Sequence, residues 1–170
     1  MFQTLTLAYD KYEDRIMAVT DIDTSASWSC WLTRRVALAF LTGASAYLER
    51  TSPLAAKAPA HHRDDLVEFE RDMALDRTAT ATTRSGGASI IRHRAKGELA
   101  VSVSLLAQGA GFRLELHGNR GGKAFGDLSR SMVQRIVKAL TDECVRGEWA
   151  CAANLGSTGT IASGSSATRH

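Results

Sequence analysis

Residues 3–9 (QTLTLAY) alternate strictly, with Leu5 and Leu7 on one side and Thr4 and Thr6 on the other, the period of a strand with one wet face. The polar run 10–14 supplies a turn. Residues 15–23 (RIMAVTDID) place Ile16 and Val19 on opposite parities, so this second strand is either bulged or covered on both faces. The two segments read as an antiparallel hairpin. After a second turn at 23–27, Trp28 to Leu32 forms a third strand, with Trp28, Cys30 and Leu32 on one face and Trp31 on the other.

The period then changes. Thr33 has the side chain of a helix N-cap. Leu38, Leu41 and Leu48, with Phe40 and Tyr47 beside them, recur at helical spacing over about four turns. Gly43 interrupts that stripe and costs about 1 kcal/mol relative to alanine unless another backbone packs there. Pro53 stops the helix, and Leu54 to Ala60 is a connector. Residues 61–75 predict a second helix with a narrow apolar seam of Leu66, Phe69 and Met73, the rest being acidic.

A second β region follows. Residues 77–87 read as a mobile loop or a weak edge strand, and 88–94 as the first strand beyond it. Residues 98–107 put Leu99, Val101, Val103 and Leu105 on one side and Ala100, Ser102 and Ser104 on the other. Phe112, Leu114 and Leu116 face inward on the next strand, Arg113 and Glu115 outward. The turn 117–122 (HGNRGG) leads to a short last strand at 123–125. Its glycines are followed by strand rather than by Lys-Ser/Thr and a helix, so it reads as a hairpin turn and not a phosphate loop. Ser129 caps a third helix with Met132, Val133, Ile136, Val137, Leu140 and Cys144 on one face. Gly147 is placed as its left-handed terminator, with Trp149 folding back on the last turn.

The predicted fold is α+β: an antiparallel sheet or small sandwich of about seven strands, with an inserted helix pair and a C-terminal helix. Residues 1–150 make one domain, and 151–170, small and polar, a disordered tail.

Composition adds three things. The 44% hydrophobic share suffices for one core, and no apolar run reaches membrane-spanning length. No leader is evident at the start, so the expected compartment is the cytoplasm. The cysteines Cys30, Cys144 and Cys151 are too few and scattered for a disulfide framework and read as buried small hydrophobes. Charge is uneven: from Arg84 to Lys123 seven Lys/Arg stand against two acids, whereas Met1 to Cys30 has two bases against five acids.

Candidate chemistry is sparse. Arg34 and Arg35 sit in a first helical turn, where the dipole favours anions. They hold either an anionic group or an acid of the fold such as Asp21 or Asp23. With Arg92, Arg94, Arg113, Arg120 and Lys123 they are the candidate anion- or partner-binding residues. His61-His62 with Asp64 and Asp65 lacks the i, i+4 spacing of a zinc helix, and nothing calls for a cofactor. Three functions follow in order: a non-enzymatic binding or assembly module, self-associating as a homodimer, with Trp28, Trp31 and Trp149 either packed in the core or exposed as interface candidates; a nucleic-acid-associated protein using the basic stretch from Arg84 to Lys123, or one meeting an acidic protein; and an enzyme built on His93 or His117 with Glu98 or Glu115, or on Cys30.

The junction W-L-T-R-R (Trp31 to Arg35) running into an apolar helix, and L-S-R (Leu128 to Arg130) leading into another, resemble a bacterial family of short conserved proteins of no assigned role, across residues 2–149. More distantly, the element order is similar to the head domains of eukaryotic end-joining scaffolds and centriolar cartwheel proteins, β-sandwiches with an inserted helix–turn–helix. That similarity implies a dimeric, non-catalytic scaffold. The third helix here stops near Gly147, short of the long coiled coil of those scaffolds.

Overall fold

A computed structural model describes residues 1–76 and 93–149, leaving aside the side chains of Ala60, Asp64 and Asp76. The chain is α+β, with a six-stranded mixed sheet and three helices among the described residues. Strands β1 (Leu5–Asp10), β2 (Arg15–Thr20) and β3 (Trp28–Leu32) form one antiparallel meander. Helix α1 (Arg34–Arg50), two short 3-10 turns and α2 (Arg63–Asp76) follow. Strands β4 (Glu98–Gln108), β5 (Gly111–Gly118) and β6 (Lys123–Leu128) form a second antiparallel meander, and α3 (Arg130–Arg146) ends the described chain.

The antiparallel sheet expected from the sequence is corrected to a mixed one, with six of the about seven expected strands among the described residues. The two meanders are joined by a short parallel pairing, Cys30 opposite Glu98 and Trp31 opposite Leu99. Short turns force antiparallel pairing within each meander. The connection between them, residues 33–97, carries two helices and is long enough for a parallel crossover. Of the strand expected at 88–94, residues 88–92 lie outside the described residues, as do 77–87, and 93–96 form a turn. Ala150 and the tail beyond it, with Cys151, also lie outside them.

Helices α1 and α3 cover one face of the sheet. Their core joins Ile16, Ala18, Cys30 and Leu32 of the first meander to Leu114, Leu116 and Leu128 of the second. β2 is buried on both faces: Met17 and Val19 pack with Trp31 on the far side. There Gly97 approaches the Trp31 indole and the Met17 methyl so closely that a Cβ would lie 2.9 Å from Nε1. Trp31 and Trp149 are core residues, and Trp28 packs against the core half-buried. Phe2 donates its N–H to the Phe125 carbonyl at 2.8 Å, tying the start of the chain to the outer edge of β6. Its ring fills the place a Gly126 side chain would take.

Thr33 and Ser129 cap α1 and α3 through their hydroxyls, which accept from the Val36 N–H at 3.4 Å and the Met132 N–H at 3.3 Å. Three local expectations change. The register of β4 slips at Val101, a β-bulge that returns Ala100 to the core face with Val103 and Leu105 and sends Leu99 to the opposite face beside Trp31. Helix α2 buries Val67 and Ala74, while Phe69 and Met73 stand exposed. Its orientation follows Glu70, which is drawn to Arg130 and Ser52. Finally, Gly147 is not left-handed, with φ −82°; Glu148 is, at +55°.

Candidate binding groove

β3 ends at Leu32, and the chain turns at once into α1, while β4 continues past the point where β3 stops. Beyond Leu99, β4 therefore has β5 on one side and no second strand partner among the described residues. Helix α1 runs beside that open edge. Between them lies a groove of about 430 Å³, with Val36, Phe40, Gly43 and Tyr47 on the helical wall and Val101 and Leu105 on the strand wall. This volume lies within the roughly 300–1,000 Å³ typical of ligand clefts.

Each wall has a sequence reason. Helical spacing places residues 36, 40, 43 and 47 along one stripe of α1. At Gly43 that wall is cut back to the backbone, and an added Cβ would meet nothing within 4 Å. Tyr47 stands edge-on to Phe112, with ring centroids 5.8 Å apart, and the Arg50 guanidinium lies over its ring, 5.3 Å from the centroid. On the other wall, residues 99–108 contain no charged side chain and no proline, the two usual protections of an open edge. Val101 is 58% exposed and Leu106 49%.

The basic residues singled out in the sequence do not converge. Arg34 and Arg35 are exposed and form no ion pair among the described residues. Arg94 is engaged with Asp10 at the β1–β2 turn. Arg113 makes a two-pronged pair with Asp127, at 2.8 and 3.1 Å, and lies over the Phe125 ring. Arg120 donates from Nη2 to the Lys96 carbonyl at 2.8 Å. Lys123 is exposed at the start of β6, and Arg92 lies outside the described residues.

The G-N-R-G-G turn does cradle an anion, but it is the chain's own. The Glu98 carboxylate accepts from the Trp28 indole at 3.1 Å, the Arg120 N–H at 2.9 Å and the Gly122 N–H at 3.1 Å. Side chains at Gly118 or Gly122 would collide with it. The indole bond, aided by the two backbone N–H groups against partial burial, holds the Glu98 carboxyl below its ordinary range.

Of the candidate catalytic groups, His117 lies 3.4 Å from Glu115 on the same strand. His93 and Lys96 line an open polar cleft of about 630 Å³ with Asp23, Ser27 and Trp28. Burial pushes the Cys30 thiol up to about 12, which leaves it protonated at neutral pH. The His61 and His62 rings lie close at a tilt of 48°, and among the described residues no group of three or more His, Cys, Asp or Glu is placed to hold a metal ion. No helix among those residues is long and apolar enough to cross a membrane.

The groove was not anticipated from the sequence, because its walls are more than fifty residues apart. The one local signal was the long, uncharged β4 segment. Comparison with protein-family models, with curated proteins and with solved structures finds no match to this chain.

Proposed function

We propose that this protein is a non-enzymatic binding and assembly module, and that its recognition surface is the α1–β4 groove. An extended polypeptide segment enters there and adds as a strand beside β4. The carrying observation is the open edge of β4 facing a helical wall. A strand edge offers backbone donors and acceptors to any extended chain, and the wall sorts the incoming side chains. The gap at Gly43 gives room for one of them. A nucleic-acid role has less support, because Arg94 and Arg113 are engaged with acids and Arg120 with a carbonyl.

The test is selection of random linear peptides on the full-length protein, followed by mapping of amide shifts. Peptides should move the resonances of Val101 to Leu105 and of the facing turn of α1. The Gly43→Leu protein, whose new side chain fills the groove, should lose them. Peptides bound equally by both proteins, or a failure to select any, would refute the reading.

A further inference from the structure

We propose that the cleft between the turns at 21–27 and 93–97 binds a small phosphorylated sugar or polyol. Lys96, His93 and Ser29 hold its phosphoryl group, and Asp23 accepts from one of its hydroxyls. The site is separate from the α1–β4 groove. Side chains alternate along a strand, so Ser29 stands on the same side of β3 as Trp31, away from the helices.

Ser29 carries the inference. It lies opposite Val19 on β2, beside the apolar cluster of Met17, Val19 and Trp31, where an apolar side chain would suit the packing. Ser29 is only 4% exposed, yet its hydroxyl makes no hydrogen bond among the described residues. No side-chain oxygen sealed from solvent among those residues lacks a partner. The Ser29 hydroxyl therefore opens into the cleft it lines. A hydroxyl withdrawn from bulk water without a partner is costly, and an acceptor placed in the cleft offsets that cost.

The surroundings specify the acceptor. Lys96, His93 and Asp23 line the same cleft, and none of their side chains makes an ion pair or hydrogen bond among the described residues. Arg94 is taken up by Asp10, and Arg120 by the Lys96 carbonyl. What faces the cleft is an ammonium, an imidazole N–H and hydroxyls rather than the planar fork that matches a carboxylate. Such separate donors suit the oxygens of a phosphoryl group. The Asp23 carboxylate would repel a bare anion, but it accepts from a ligand that also carries hydroxyls. Ile22 and Trp28 give the ligand's carbon skeleton an apolar wall. The volume of about 630 Å³ is ample for a sugar phosphate.

Both walls are held by bonds within the chain, which lowers the cost of ordering them around a ligand. In one turn the Thr24 N–H donates to the Asp21 carbonyl at 2.9 Å and the Ser27 N–H to that of Thr24 at 3.3 Å. In the other, the Lys96 and Gly97 N–H groups share the His93 carbonyl, and Arg120 clasps the Lys96 carbonyl at 2.8 Å.

The experiment is an amide-shift titration of the full-length protein with ribose 5-phosphate, with ribose and inorganic phosphate as separate arms. Ribose 5-phosphate should move the resonances of Ser27, Ser29, His93 and Lys96, and ribose should not at the same concentration. Lys96→Met should weaken ribose 5-phosphate by about tenfold or more, and Ser29→Ala by about threefold to tenfold. Lys57→Met, at an exposed lysine of the helical layer, should leave it unchanged. Asp23→Ala should narrow the preference for ribose 5-phosphate over inorganic phosphate. Thermal melts establish that the variants fold. Cleft resonances unmoved by millimolar ribose 5-phosphate would overturn the proposal. So would equal binding of ribose, or equal losses from Lys96→Met and Lys57→Met.

Discussion

The Trp149 indole donates to a carboxylate oxygen of Asp14 at 2.9 Å, joining residues 135 positions apart. The Tyr9 hydroxyl donates to the same oxygen, also at 2.9 Å, and the Tyr9 and Trp149 rings meet edge-on. Asp14 sits in the β1–β2 turn with φ +47°, an uncommon conformation that aspartate tolerates better than most residues. One turn carboxylate thus fastens the end of α3 to the edge of the sheet. Along that same edge the Tyr9 N–H, which has no strand to bond, donates to Glu143 of α3 at 2.8 Å.

This arrangement predicts acid sensitivity of a definite sign. The bonds from Trp149 and Tyr9 hold the Asp14 carboxyl below its ordinary value of 3.8. Asp127 is lowered by Arg113, and Asp10 by Arg94 and two turn N–H groups, against the opposing effect of its burial. A carboxyl lowered in the folded state stabilises that state above its unfolded value, and the stabilisation is lost as pH falls through the folded value. The thermal midpoint should therefore be flat above about pH 5 and fall below it. Asp14→Asn, which keeps an acceptor and removes the charge, should flatten that acid slope. Parallel acid slopes in the two proteins would count against this account.

The end of α3 predicts a pair of substitutions with opposite effects. The Glu148 N–H bonds to the Val145 carbonyl and the Trp149 N–H to that of Cys144, so Glu148, in the left-handed region, occupies the place usually held by glycine. Glu148→Gly should raise stability by about 1 kcal/mol. Gly147→Ala should lower it by about 1–3 kcal/mol, although φ at 147 is ordinary, because the new Cβ would lie 2.7 Å from the Tyr9 ring. Urea denaturation of both variants checks the signs; two effects of the same sign would sink the assignment.

The same residue illustrates what the sequence could tell. A glycine after an amphipathic helix signals its end, and the helix ends there; but this glycine answers to the Tyr9 ring, distant in sequence, and the left-handed residue is Glu148. Local signals carried well elsewhere. The caps Thr33 and Ser129, the doubly covered β2 and the alternation of Phe112, Leu114 and Leu116 depend on near neighbours. The parallel meeting of β3 and β4 lies across 65 intervening residues, 33–97, and leaves no periodic trace. The bulge at Val101 reverses a strand's facing with one residue. Phe2 lies before the first alternating run and owes its burial to Gly126. The groove belongs with these: neither α1 nor β4 alone shows that they flank each other.

Gly43 makes α1 less stable than it could be. It lies inside α1, and an alanine methyl there would meet no neighbour within 4 Å. No packing requirement among the described residues accounts for the glycine. Gly43→Ala should add about 1 kcal/mol to the unfolding free energy measured by urea denaturation. A loss of stability would mean that something does pack against this backbone.

Arg130 carries the most consequential polar contacts of the helical layer. Its Nη1 donates to Thr51 O at 3.2 Å and Thr51 Oγ1 at 2.9 Å, its Nη2 to the Leu48 carbonyl, and its Nε to Glu70. The other Glu70 oxygen accepts from the buried Ser52 hydroxyl at 2.8 Å, and Ser52 accepts the Ala55 N–H. One guanidinium thus satisfies the end of α1, pins α2 and opens α3. Lysine has the charge but not the fork, and it cannot reach carbonyls and carboxylate together. Arg130→Lys should cost about 2–4 kcal/mol, since the ammonium cannot replace all of these bonds and leaves either the α1-end carbonyls or one oxygen of the largely buried Glu70 carboxylate without its partner. Glu70→Gln should cost less, because the Arg130 bonds to α1 survive. The double variant should fall short of the sum of the two, as expected for residues in contact. A cost for Arg130→Lys below about 0.5 kcal/mol would place the junction's stability in the apolar contacts instead.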